Sequence, residues 1–580
     1  MNYLLNRTPI LIFCLCFLLV GCKKDDITPI DIPNNPDTSS NPLYSGNTVT
    51  TSIGGLVTNQ SGVPVSNALV TVGNKTGFTN DDGIFNFTNV SVDENRAYVK
   101  INKSGYFLGS RSFKPNASYN NYVRIELISK SVTGTFDNSS GGTININGGA
   151  ELTFQAGDLS LSNGTIYMGD VTVYATYLDP MAPNIGKIMP GDLIAVDNSN
   201  DAVALETYGM IVVELVGSSG EPLNVAQGKT VEIRMPVAAQ QMASAPSLIP
   251  LWYFNEEQGN WVEEGQATLQ GSNYIGQVSH FSFWNCDAPF PLIDFHCRIV
   301  CDGVPMSNTM VSLTTADGGQ NYGVTDANGE VNGGIPMNTS LTLDVIDECE
   351  SIVYTQSIPA SSSNIDLGNI SACNSGNQVA ISGTVIDCEG EVVTNGLLRI
   401  TFGTTFINIF TNQNGDFNTV LNTCSFATID ITTFDLDNAT QSNVMTVQTD
   451  SPVNLGEIIA CNQIEEFITY TIDGTSYSVL DLGQNEVMSS YHIDSTIIDG
   501  SNWPDYIRLK LSNPSIGSNS CQLRWVNGLN IEYPSIINLN YTELGTSSGT
   551  YMEGTFSGVF NEIGGSPSHT ISGSFRTKNE

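Results

Sequence analysis

Gly545-Thr546-Ser547-Ser548-Gly549 has the G-x-S-x-G spacing that sets a serine nucleophile on a sharp turn between a strand and a helix. The stretch after it, Tyr551 to Phe560, reads as a strand, and His569 is the one histidine that follows. A Gly/Ser hairpin turn therefore explains the motif better than catalysis does. The four histidines, His280, His296, His492 and His569, are scattered, and no H-E-x-x-H, P-loop or G-x-G-x-x-G occurs. Cys297 and Cys301 with His296 are the sole zinc-like spacing, without a second close ligand pair.

Glu256, Glu257, Glu263 and Glu264 flank one turn and could oppose each other as an acid–base pair, although solvated hairpin charge accounts for them. The Asp81-Asp82-Gly83 and Asp326-Ala327-Asn328-Gly329 clusters could take calcium, but neither fits an EF-hand loop and turn chemistry justifies both. No catalytic residue, metal or cofactor is expected. Trp252, Tyr253, Trp261 and Trp284 form the densest aromatic set, which if exposed would stack on a sugar ring or a partner and if buried would be core. They are the expected ligand-binding residues.

These residues must be held by strands. From Val49 onward, short alternating runs rich in Val, Ile, Thr and Phe are separated by Gly, Asn, Asp and Ser clusters. Only 14% of residues are charged, and apolar spacing of the helical kind is absent. The fold expected is all-β: tandem β-sandwich domains on a lipid anchor, with a C-terminal curved sheet or small barrel. With 58 acidic against 21 basic residues, the net charge of -37 repels phosphate backbones, so nucleic acid is not an expected partner.

An internal repeat organises the middle of the chain. Leu367-Gly368-Asn369-Ile370-Ser371-Ala372-Cys373-Asn374 returns as Leu455-Gly456-Glu457-Ile458-Ile459-Ala460-Cys461-Asn462, and Cys301-Asp302-Gly303 returns as Cys388-Glu389-Gly390. The expected segments are 1–21, a signal peptide; 22–48, a stalk; 49–128, a sandwich; 129–290, a larger β unit; 291–374 and 375–462, the tandem copies; and 463–580, a last β unit. Of 12 cysteines, Cys14 and Cys16 fall in the signal peptide and Cys22 at its end. The rest would meet an oxidising compartment, and bridges Cys301 to Cys349 and Cys388 to Cys424 are expected, one within each copy.

At the amino terminus, Arg7 precedes an apolar run that ends in Leu19-Val20-Gly21-Cys22, too short for the roughly 20 residues of a membrane span. Leu19-Val20-Gly21-Cys22 resembles the lipobox of bacterial lipoproteins. The resemblance implies that Cys22 is lipidated and anchors the chain in the outer membrane. Lys23-Lys24-Asp25-Asp26 is similar to a basic-then-acidic signal for export to the outer face, so the cell surface is the expected location, with the periplasmic face as the alternative.

A turn-strand-turn series also recurs: Gly54-Gly55-Leu56-Val57, then Thr79-Asn80-Asp81-Asp82-Gly83, then Lys103-Ser104-Gly105-Tyr106, with Thr325 to Gly329 and Thr411 to Gly415 at the second landmark of the copies. Over 49–128 it resembles the carboxypeptidase regulatory-like domain, a transthyretin-like β-sandwich that is generally a non-catalytic companion. The strand Ile249 to Phe254, the turn at 256–260 and Trp261 resemble the ectodomain of the astroprincin and cartilage intermediate layer proteins.

The function expected is a non-catalytic surface scaffold or adhesion protein for polysaccharide, partner proteins or cells. An accessory lipoprotein of an outer-membrane import or secretion complex is the second reading, and an exported hydrolase with an unrecognised site the third.

Overall fold

In the first unit and in each of the two tandem copies, a long strand pairs antiparallel with the strand that follows a glycine turn and parallel with one much further on. The structure, a computed structural model, describes residues 41–579 except 80–82, 118, 374–377, 403–404, 425, 439, 465, 474, 481–486, 493–494, 503–504, 528–529, 532–534, 548 and 562–567. The expected signal peptide, Cys22 and most of the stalk lie outside the described residues, as do Asp81 and Asp82. The molecule is almost entirely β.

Thr48–Asn59 pairs antiparallel with Ile84–Asp93 and parallel with Asn120–Leu127. The second half of Phe283–Cys301 does the same with Glu330–Pro336 and Ile365–Ser371, and Gln378–Ile386 with Asp416–Asn422 and Val453–Ile459. Each three-stranded sheet shares a core with a second sheet; in the first unit Ile53, Val57 and Ile125 meet Val70, Val99 and Ile101. Alternating apolar residues face inward from both sheets, the pattern of a sandwich.

The three units use the same turn for the same reason. Gly83, Gly329 and Gly415 have φ of 70°, 78° and 73°. A Cβ on each would lie 2.3, 2.5 and 2.7 Å from the carbonyls of Val57, Ile299 and Val385, so only glycine fits. Just before each glycine a buried threonine closes the loop. Thr79, Thr325 and Thr411 donate to the carbonyls of Val65, Met306 and Val393 and accept from the amides of Ala68, Thr309 and Gly396.

Between the first unit and the copies lies a sheet whose hydrogen-bonded path runs from Val132–Asp137 to Gly142–Asn145. Its two edges return to each other, with Phe136 stacked on Phe154 at 4.5 Å. Phe283–Cys301 crosses from this sheet into the first copy as one strand, so the expected boundary at 290/291 falls inside it. The C-terminal sheet curls until Ser489 bridges Asn579 and donates to the carbonyl of Lys578 at 2.7 Å, which makes it a nearly closed barrel. Ile468, Leu509, Leu539, Phe556 and Phe575 belong to its core. No helix among the described residues is long and apolar enough to cross a membrane.

The expected bridges within each copy do not form. Cys301 bonds Cys373 and Cys388 bonds Cys461, each joining the end of the first strand to the segment just after its parallel partner. The third bridge, Cys349–Cys424, links one copy to the other. The repeat suggested equivalent pairs within each copy but not which cysteines meet, and parallel pairing brings together residues 72 and 73 positions apart. Cys286, Cys297 and Cys521 are free and buried.

Candidate functional site

The aromatic set is core. Trp252, Trp261 and Trp284 are each 0% exposed. Every indole N–H donates to a backbone carbonyl: Trp252 to Asp287 at 3.0 Å, Trp261 to Asp192 at 2.8 Å and Trp284 to His280 at 3.0 Å. Tyr253 is half-buried, edge-on to His280 at 4.7 Å. The expected stacking platform is therefore closed. Hairpin alternation places one face of the strand inward, and the covering layer comes from elements distant in sequence.

The turn at 256–260 that precedes Trp261 plugs into the first unit. Tyr98 Oη donates to the Glu256 carbonyl at 3.0 Å, Tyr44 Oη to the Gln258 carbonyl at 2.6 Å and Ser112 Oγ to the Gly259 carbonyl at 2.7 Å. Gly259 has φ of 68°, and a Cβ there would meet the Tyr98 ring at 2.3 Å. Beside it Arg96, 4% exposed, makes a two-pronged contact with Asp192 at 2.7 and 3.1 Å and donates to Gly259. The neighbouring carboxylate holds the guanidinium pKa above its ordinary value against the opposing effect of burial.

A cavity of about 330 Å³ opens at this junction, where the first unit, the large sheet and the first copy meet. Arg96, Arg111 and Arg124 are among the residues that line it. Arg111 donates to the carbonyls of Gly191 and Gly186 and lies over the Tyr322 ring at 4.6 Å, while Arg124 donates to the Asn308 carbonyl at 2.5 Å. Asp326, also in the lining, accepts from the amides of Asn328 and Glu330 and from Asn116 Nδ2. Burial pushes its carboxyl up to about 6 despite those bonds. Among the described residues, the lining holds no histidine and no cysteine. Its donors and acceptors can orient a polar group, and most of them already join the units.

The other sequence candidates are separate. Ser547 lies in a turn closed by Thr550, with a strand, Tyr551–Asn561, after it rather than a helix. His569 Nδ1 sits 2.6 Å from Asp473, and hydrogen bonds from Thr570 and His569 hold that carboxyl below its usual range. Cys297 is buried, its thiol pushed up to about 12 by desolvation, while Cys301 is bridged and His296 turns to Asp366. No zinc set assembles from them. Glu263 accepts from the Asn198 amide, and Glu264 from Ser279, beside His280. Sequence reasoning passed over Arg96, Arg111 and Arg124. Their signal is the clustering of three arginines within 96–124 in a strongly acidic chain.

No protein-family model matches the chain. It is 30% identical over 235 residues to cartilage intermediate layer protein 2 of Mus musculus, covering 38% of this chain and 19% of that protein. It is 31% identical over 122 residues to human cartilage intermediate layer protein 1, 21% of this chain and 10% of the other. The chain thus spans a fifth or less of these curated relatives. Among solved structures, the shaft pilin SpaA from Lactobacillus rhamnosus GG aligns at 8% identity and a TM-score of 0.17, over 30% of this chain and 98% of that one. BcpA, the major pilin subunit of Bacillus cereus, aligns at 9% identity and a TM-score of 0.12, over 71% and 99%.

Proposed function

We propose that the chain is a non-catalytic scaffold of the cell surface, held to the outer membrane by lipid at Cys22, whose fused β units present a fixed surface to polymers, partner proteins or neighbouring cells. One observation carries this reading: side chains able to do chemistry are engaged in joining units. Arg96 grips Asp192, Arg111 grips Tyr322, and Cys349 bonds Cys424. A hydrolase needs convergent titrating groups free to act around an open space, whereas the Asp326 and Glu330 carboxylates that line the junction cavity both accept from Asn116 Nδ2, a contact that joins the first unit to the first copy. The similarity to cartilage intermediate layer proteins supports a scaffold over an enzyme.

Three measurements test it. Radiolabelled palmitate should enter the wild type and not Cys22→Ala, and protease added to intact cells should cut the chain. Purified protein should release no product from polysaccharides or peptides. Turnover abolished by one carboxylate substitution would replace the scaffold reading with an enzyme.

A further inference from the structure

The first unit and the two copies share one strand-turn-strand frame, so each residue of one has a counterpart in the other two. Stepping on from Gly83, Gly329 and Gly415, Val331 of the first copy matches Phe85 and Phe417, and Gly333 matches Phe87 and Thr419. In the antiparallel register, Phe85, Val331 and Phe417 lie opposite Gly55, Cys297 and Gly383, while Phe87, Gly333 and Thr419 lie opposite Ile53, Phe295 and Ile381. Two residues before the buried threonine, on the second sheet, stand Gly77, Gly323 and Ile409.

In the first unit and the second copy, glycine makes room for a phenyl ring. A Cβ on Gly55 would lie 2.6 Å from the Phe85 ring, one on Gly383 2.8 Å from that of Phe417, and one on Gly77 2.6 Å from that of Phe87. The first copy keeps Gly323 but has Gly333 where the first unit has Phe87, and Val331 where both others have phenylalanine. Phe295 and Cys297, larger than their counterparts, return part of the volume. Taken together, these positions still hold less side chain in the first copy than in either other unit, by about the size of a phenyl ring. The structure has a cavity of about 110 Å³ at these residues, lined by Leu205 of the large sheet and by Phe295, Val311, Val331, Gly333 and Leu341 of the first copy. Gly333 shares its strand face with the core residues Val331 and Ile335, and a Cβ on it would meet nothing within 4 Å.

We propose that this cavity binds a small molecule built on a single aromatic ring, of the size of phenol, in place of the side-chain ring that the other two units carry. The class of guest follows from those units, which pack a phenyl group at the matching position of the same frame. Size agrees with it. An unfilled apolar space forfeits the contacts its wall could make, and apolar cavities of roughly 150 Å³ stay dry and admit benzene. Pockets for drug-sized ligands start at about 300 Å³, so a larger guest does not fit.

Fluorine NMR of para-fluorophenol with the full chain tests the site. Binding should saturate with a dissociation constant on the order of 1 mM or tighter, and phenol should displace the probe. Gly333→Phe, which restores the ring of the first unit, should abolish binding. Gly333→Leu fills part of the space and should weaken binding about tenfold or more, which keeps the proposal testable if the phenylalanine variant does not fold. Lys114→Ala, at an exposed residue that lines the junction cavity and not this one, should leave binding unchanged. A wild type without saturable binding overturns the proposal, as do Gly333 variants that bind like the wild type. Loss in Lys114→Ala alone would put the ring in the junction cavity instead. Displacement by octanoate and not by phenol would make the space an acyl-chain slot and overturn the aromatic assignment.

Discussion

The first unit meets the large sheet through an arginine, whereas the two tandem copies meet through sulfur. At the first junction Arg96 reaches Asp192 and the Gly259 carbonyl in a nearly dry setting, and Tyr44, Tyr98 and Ser112 add neutral hydrogen bonds. At the second, Cys349–Cys424 crosses the boundary, and Asn422 bonds Asp347 and Glu348 beside it. A buried ion pair attracts strongly but has given up hydration to do so, so it favours one arrangement more than it adds stability. A disulfide acts chiefly by restricting the unfolded chain. The two junctions should therefore fail under different stresses, one by loss of a partner charge and the other by reduction.

Removing one charge should give the largest effect. Arg96→Ala leaves Asp192 buried and unpaired, and should cost about 3 to 5 kcal/mol in urea unfolding, with earlier cleavage between the first unit and the large sheet. Arg96→Met with Asp192→Leu should recover much of that loss. If the single variant is silent, the junction is not held by the ion pair.

Cutting the sulfur link comes next. Cys349→Ser with Cys424→Ser should cost about 2 to 4 kcal/mol and separate the unfolding of the two copies, while the bridges within each copy persist. Non-reducing peptide mapping must first find Cys349 with Cys424. Bridges Cys301–Cys349 and Cys388–Cys424 instead would remove this side of the comparison.

A third contact, between the large sheet and the first copy, is acid on acid. Burial and the nearby Asp317 raise Glu206 from 4.5 to about 7. Its folded pKa lies above its unfolded one, so the folded chain binds a proton more tightly. Stability from this group should rise as pH falls from about 7 towards 4.5 and be lower above 7. Glu206→Gln should flatten that slope and stabilise the protein at pH 8; a wild-type slope in the variant would exonerate Glu206. The smallest change is expected at the rim of the first junction, where Lys100 meets a Glu257 that is 68% exposed. Glu257→Gln should shift stability by less than about 1 kcal/mol and lose even that in high salt.

Much of the fold was legible in the chain. Alternating apolar residues identify strands because successive side chains point to opposite faces, and that periodicity is local. The Asp/Asn-rich turns ending at Gly83, Gly329 and Gly415 were readable because a positive φ beside a strand carbonyl admits only glycine. The matching Leu-Gly and Cys-x-Gly landmarks exposed the tandem copies for the same local reason. What the tertiary structure alone decided are encounters across long separations. Arg96 finds Asp192 and Gly259, Cys301 passes Cys349 to reach Cys373, and the aromatic face holding Trp252 and Trp261 is covered rather than offered. Periodicity states that one face of a strand is apolar; which layer closes over it, and which distant group arrives beside a charge, follows from how whole sheets stack, and neither composition nor spacing records that.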